Sequence, residues 1–337
     1  MPQGPPYLPQ TAQLGGLPTV SVDVPISAVL LFIFVCAAAT NMTIFQINRR
    51  RGHKFVFSGL LFGFCMARIT ALAMRIAWAT HPTNTNVAIA ANVFTQAGVL
   101  LLFVVNLLFT QRMVRAYQPS FGWRRPVTLA FRTLLFSVIA LLVMVITASV
   151  HMFFTLSPGA RTKDRQVQLF SVTFLAVLAF LPIPLSLLAA LWPQRRTPAE
   201  NFGRGRLSTK LYLLLFTATL LALGACFRAG VAFDVRPASH PAWFHHRACY
   251  YVFNFGIELV VVFTYAASRF DRRFHVPNGS SAPGHYAAGA GRGAADSGDD
   301  VGDESAWAER ARKELSTSDL AHPGPGPDFE LGTAGSR

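Results

Sequence analysis

The sequence predicts an all-α integral membrane bundle of about seven transmembrane helices, with the N-terminus outside the cytosol and the C-terminus inside. Three observations carry that expectation: an apolar composition, seven apolar runs of membrane-spanning length, and basic residues gathered in alternate loops. Of 337 residues, 52% are hydrophobic and only 14% charged, against about 25% charged in ordinary soluble domains. A soluble core has no means of hiding so much apolar surface.

The apolar runs lie near 25–47, 56–78, 87–110, 130–156, 167–191, 211–233 and 247–268. A helix crossing a hydrocarbon core of about 30 Å needs roughly 20 residues, and only a helix or a closed barrel satisfies its backbone polar groups there. The first run opens at Pro25, a residue suited to a first helical turn, after Asp23 in a position to cap the helix. The fourth is long and emerges before Ser157-Pro158-Gly159. The fifth contains Pro182 and Pro184, which remove backbone donors and predict a kink toward its last turns.

Loop charge sets the expected orientation. The loops after runs one, three and five hold Arg49, Arg50, Arg51 and Lys54, then Arg112, Arg115, Arg124 and Arg125, then Arg195, Arg196, Arg204, Arg206 and Lys210. Those after runs two, four and six hold none, then Arg161, Lys163 and Arg165, then Arg236. Arg269, Arg272 and Arg273 follow the seventh run and add to the basic side, which the positive-inside rule assigns to the cytosol. The N-terminal stretch lacks the basic region of a signal peptide, so the first helix is expected to insert uncleaved.

The chain thus divides into a short extracytosolic tail, 1–24, a seven-helix domain, 25–273, and an acidic, disordered cytosolic tail, 274–337. The tail carries 5 Lys and Arg against 10 Asp and Glu, within a chain of formal net charge +14. Its Gly, Ala, Ser and Pro content is too apolar-poor for a core. Glu304–Leu315 is a candidate transient helix, and the tail is a candidate docking site for cytosolic partners.

Composition also excludes several functions. The positive charge of short loops is a membrane pattern, so nucleic acid is not an expected partner. No GxSxG, HExxH or P-loop occurs, and the seventh run has no lysine for a retinal Schiff base. Cys36, Cys65, Cys226 and Cys249 all fall in apolar runs without metal-site spacing. His240, His245 and His246 cluster in one loop but are irregularly spaced. His151, near the end of the fourth run, is expected to be held by a hydrogen bond. No enzyme, cofactor or metal is expected. Asn41-Met42-Thr43 and Asn278-Gly279-Ser280 fall where no glycosylation is expected.

Ionisable groups inside the membrane point toward function, because each costs at least a few kcal/mol unless paired or hydrated. Arg68 and Arg75 lie on the second run, Arg228 on the sixth and Glu258 on the seventh. With a rise of about 1.5 Å per residue, Arg68 and Glu258 come out at similar heights, and Arg75 and Arg228 nearer the outer boundary. One reading pairs Arg68 with Glu258 and lets Arg75 and Arg228 snorkel to headgroups. The other is a polar, outward-facing cavity with surplus positive charge, to which Asn92, Gln96 and Asn254 contribute amides and which suits an anionic lipid or amphiphile.

Asn41-Met42-Thr43-Ile44, Asn48 to Phe55 with its Arg-Arg-Arg-Gly-His-Lys core, Phe62 to Arg68, Ala90 to Phe94 and Arg269 to Phe274 resemble a fungal family of multi-pass membrane proteins classed only as a domain of unknown function. The resemblance covers about Leu14 to Pro277 and implies membrane residence without an activity. Arg228 followed by a short loop, Tyr250-Tyr251-Val252-Phe253 and Glu258 is similar to the RTA-like lipid-translocating exporters, over the last two helices alone. The leading expectation is lipid or amphiphile handling, by a translocator or exporter. The alternatives are a seven-helix receptor or sensor, or a scaffold without a ligand. The bilayer is the expected partner, in the plasma membrane or an endomembrane.

Overall fold

The computed structural model describes residues 4–7, 11–50, 55–193, 198–277 and 280–286. Arg51, Lys54, Arg195, Arg196, Asn278 and the acidic tail beyond Tyr286 lie outside the described residues. Among the described residues seven helices are long and apolar enough to cross a membrane: α1 Val20–Arg50, α2 Val56–Thr80, α3 Thr85–Tyr117, α4 Arg125–Phe154, α5 Pro158–Leu191, α6 Leu207–Phe233 and α7 Arg247–Ala267. Among the described residues there is no strand, and a lone antiparallel bridge joins Thr11 to Pro237. The protein is a multi-pass all-α membrane bundle.

Most helices outrun the apolar segments that announce them, because intrahelical hydrogen bonding continues to satisfy the backbone in the headgroup region. Two boundaries correct the sequence reading. The first helix starts at Val20, so Asp23 and Pro25 lie inside it. Thr19 takes the cap position: its carbonyl accepts Asp23 N–H, and Asp23 Oδ2 accepts Thr19 N–H at 2.9 Å. The fifth helix starts at Pro158, which places Arg161, Lys163 and Arg165 in its first turns and not in a loop.

Three helices deviate locally, each for a physical reason. Helix α5 stops at Phe180 and resumes at Pro182, as its prolines predict. Helix α3 breaks between Gly98 and Leu100. There Val99 N–H turns to Ala97 O, and the Thr95 carbonyl accepts from the Arg68 guanidinium, a side chain inserted at the helix ladder. Helix α7 contains a π turn, Val252–Gly256, in which Ile257 N–H reaches Val252 O.

Helix α1 packs along α2, α2 along α3, α4 along α5 and α5 along α6, while α7 lies against α1 and α6. The second half of α3 is the most enclosed segment: Leu102, Val105, Leu107, Phe109 and Met113 are fully buried. Outward-facing Phe32, Phe136, Ile139, Phe170 and Leu188 remain exposed, the surface a lipid environment requires.

Two faces close the bundle. On the N-terminal face, Tyr7 N–H bonds Phe153 O, Ala12 N–H bonds Arg236 O and Gly15 N–H bonds His245 O, so the N-terminal segment crosses the ends of α4 and the α6–α7 loop. On the opposite face, Glu200 N–H bonds Ala116 O and Arg204 N–H bonds Arg272 O. Gly203, at φ +57°, passes so close to the Arg272 and Arg273 carbonyls that a Cβ would collide with them. The chain after Arg273 stays on this face. Phe274 and Tyr286 are buried, the Arg112 guanidinium bonds Phe274 O, and Glu200 accepts the N–H groups of Gly284 and Tyr286. Packing therefore extends past residue 273, where composition alone places a disordered tail. Burial pushes the Tyr286 phenol above its ordinary pKa.

Candidate functional site

The intramembrane charges form two linked clusters. In the first, Arg68 of α2 and Glu258 of α7 pair bidentately, Nε to Oε2 and Nη2 to Oε1, both at 2.5 Å, with both side chains almost wholly buried. Nη1 of Arg68 bonds the Thr95 carbonyl at 2.6 Å. The Phe64 and Phe255 rings lie 5.6 and 5.3 Å from the guanidinium carbon. The fit is close: a Cβ on Gly98 would lie 3.0 Å from Arg68 Cζ.

Arg228 of α6 completes this cluster loosely. Its Nη1 stands 3.8 Å from Glu258 Oε1 and 3.5 Å from Asn254 Oδ1, and its side chain is 21% exposed. Arg68 occupies one acceptor site on each oxygen of the carboxylate, so two cations, Arg68 and the more loosely paired Arg228, share the single negative charge of Glu258. The π turn lies immediately before Glu258 and contains Asn254, whose Nδ2 bonds Tyr250 O. Such turns occur often at functional sites, because the extra residue re-aims the side chains that follow.

The second cluster lies nearer the N-terminal face and contains a residue that sequence reasoning assigned elsewhere. Asp23, fully buried, accepts from Arg75 Nη2 at 3.0 Å and from the Tyr251 hydroxyl at 2.9 Å on Oδ1. On Oδ2 it meets Thr19 N–H at 2.9 Å and Arg247 Nε at 3.5 Å. Arg75 also donates to Gly15 O at 2.9 Å and stacks over Tyr250, 4.6 Å from its centroid. Arg75 is 3% exposed, so it does not snorkel to headgroups; an internal carboxylate holds it. Gly15 has φ +82°, and a Cβ there would meet Tyr250 Cγ at 2.7 Å, so the approach of the N-terminal segment requires glycine.

The clusters touch through Tyr250, which stacks on Arg75 and shares a hydroxyl contact of 3.3 Å with Thr95 Oγ1, on the residue whose carbonyl binds Arg68. A continuous chain of contacts therefore runs Arg247, Asp23, Arg75, Tyr250, Thr95, Arg68, Glu258, Arg228. Formally it holds four cations and two anions. Of the sequence candidates, the structure brings together Arg68, Arg75, Arg228, Asn254 and Glu258. Asn92 is half-buried with Nδ2 lacking a hydrogen-bond partner, Gln96 is exposed, and no hydrogen bond joins either to the arginines. Asp23, Tyr251 and Arg247 were missed. Their signal was an acidic residue at the edge of one apolar run, at the height of Arg75, with an arginine opening the last.

Elsewhere the polar groups tie helices together. Tyr265 donates to Asn106 Oδ1 and meets Thr217 Oγ1 at 2.9 Å, joining α7, α3 and α6. His151 finds its partner in Asp164 at 2.6 Å. The cysteines are free, and among the described residues no group of three or more His, Cys, Asp or Glu could hold a metal ion. Burial lowers the pKa of His245, and the nearby Arg236 charge acts in the same direction.

Residues 199–275 match the family model described as "Protein of unknown function (DUF3112)". That stretch contains α6, the loop after it and α7, hence Arg228, Arg247, Asn254 and Glu258, but not Asp23, Arg68 or Arg75. No curated protein matches the chain, and no solved structure matches it.

Proposed function

We propose that this protein handles an anionic lipid or amphiphile, without catalysing a covalent reaction, and that Arg228 receives the acidic headgroup. The observation that carries this reading is the incomplete balance at Arg228. It shares with Arg68 the single charge of Glu258, at 3.8 Å against 2.5 Å, and it is the partly exposed member of its cluster. Arg228 lies about 8 Å from the end of α6, at a rise of about 1.5 Å per residue, within reach of lipid headgroups. A phosphate or carboxylate there gains charge-assisted hydrogen bonds worth about 1.5–3 kcal/mol each. Loop charge assigns the N-terminal face to the side away from the cytosol.

The test is binding of fluorescent lysophospholipids to protein in nanodiscs. Arg228→Gln is expected to weaken an acidic lysolipid about tenfold, equivalent to about 1.4 kcal/mol, and to leave a zwitterionic one unchanged. Equal affinities for wild type and variant refute the reading. The contact chain from Arg247 to Arg228 favours a second reading, a sensor in which a ligand at one face biases helix packing. Altered signalling with normal leaflet distribution of lipids in cells lacking the protein would select that alternative.

A further inference from the structure

The N-terminal face holds a cavity of about 980 Å³, walled by the N-terminal segment and the α6–α7 loop. That is the size of a small-molecule site, and such sites are mostly apolar with a few convergent polar groups. Leu17, Ala238, Pro241 and Trp243 supply the apolar wall. Leu17 and Trp243 are 63% and 77% exposed, large apolar side chains left for something to cover.

The polar groups converge at one end: His245, His246 and Arg247 also line the cavity. His245 is buried, and its Nδ1 has no hydrogen-bond partner. His246 Nδ1 accepts Ala248 N–H, which leaves the ring proton on Nε2 as a free donor. Arg247 touches Asp23 Oδ2 through Nε at 3.5 Å, and its terminal nitrogens make no hydrogen bond to the described residues. Asp23 is meanwhile served by Arg75, Tyr251 and Thr19, so the end of the cavity carries one cation more than its carboxylate neutralises.

We propose that this cavity binds a single-chain amphiphile with an acidic head, the head on Arg247 and His246 and the chain along Leu17 and Trp243. The ligand class rests on the reading given for Arg228; the site is a separate one, joined to it by the contact chain. The acid could be a carboxylate or a phosphate monoester, since Arg receives both bidentately.

The experiment uses the full chain in nanodiscs and quenching of tryptophan emission by dibromostearate, by a brominated lysophosphatidate and by a brominated monoacylglycerol as the neutral control. Saturable quenching by an acidic probe, abolished by Trp243→Phe, is expected, and which acidic probe binds more tightly identifies the head. Arg247→Gln is expected to weaken the acidic probe at least tenfold and spare the neutral one, with Arg247→Lys recovering part of the loss. Trp243→Phe keeps the charge cluster intact, so its result stands even where Arg247→Gln folds poorly. Quenching that survives Trp243→Phe, or affinity indifferent to Arg247→Gln, overturns the site. Quenching lost in Arg247→Gln and kept in Arg228→Gln supports the cavity as a site of its own, whereas quenching lost in Arg228→Gln and kept in Arg247→Gln overturns the cavity and keeps the Arg228 reading. Failure of every acidic probe to quench overturns the cavity, while the lysophospholipid assay decides the Arg228 reading by itself. Competition by inorganic phosphate as strong as by the chain-bearing probe overturns the amphiphile assignment.

Discussion

Removing the charge on Glu258 leaves Arg68 buried among aromatic rings with no counter-charge. The pair shares two charge-assisted hydrogen bonds, each worth about 1.5–3 kcal/mol. Glu258→Gln retains one acceptor and turns an amide NH₂ toward a guanidinium, so the expected loss of folding stability is about 3–5 kcal/mol. Arg68→Gln should cost less, near the lower end of that range, because Arg228 already stands 3.8 Å from the freed carboxylate. The double variant Arg68→Gln with Glu258→Gln removes both charges and should recover much of the loss, with a coupling of about 0.5–3 kcal/mol. Thermal melts of detergent-solubilised protein, read as a double-mutant cycle, measure this. Additive losses, to within about 0.5 kcal/mol, or an Arg68→Gln more damaging than Glu258→Gln, would refute the reasoning.

Gly15→Ala forces a Cβ into Tyr250 at a backbone angle that favours glycine, and overpacking of this kind costs about 1–3 kcal/mol. Faster hydrogen exchange of residues 11–19 is expected, and unchanged exchange would count against the docking of that segment. His245 has a folded-state pKa below its unfolded value, chiefly through burial, so the native state there binds fewer protons than the unfolded chain. The stability it contributes is complete above about pH 6.5 and falls as the pH drops below that value toward the folded pKa. Protection factors of 242–247, corrected for the intrinsic pH dependence of exchange, should therefore fall as the pH drops from 7.5 to 5 in wild type and fall less in His245→Gln; identical profiles would sink the assignment. A reporter between Thr80 and Thr85 and one at the C-terminal end are expected on opposite sides of the membrane, since α3 to α7 make five crossings between them. Finding both on one side would remove the seven-span topology.

The spans were legible because membrane insertion imposes a constraint along the chain itself: about 20 apolar residues with every backbone group satisfied internally. For the same reason the kink at Pro182 could be foreseen, since a missing N–H is a property of one residue. The pairing of Arg68 with Glu258 was legible as well, from the height of each along its helix. Asp23 was not. Its position near the start of an apolar run reads as a cap, and only the three-dimensional approach of Gly15, Arg75 and Tyr251 makes it the anchor of a second cluster.

Composition and periodicity thus determined by themselves the fold class, the number of spans and the charged groups that must find partners, because these follow from the transfer of single helices into hydrocarbon. Tertiary structure alone decided which arginine grips Glu258 and which stands off it, that the chain stays packed past Arg273, and that the N-terminal segment and the α6–α7 loop line one half-open cavity. Those outcomes depend on distances between residues far apart in sequence. At 2.5 Å from Glu258 an arginine is held bidentately, whereas at 3.8 Å from the same carboxylate another is paired only loosely.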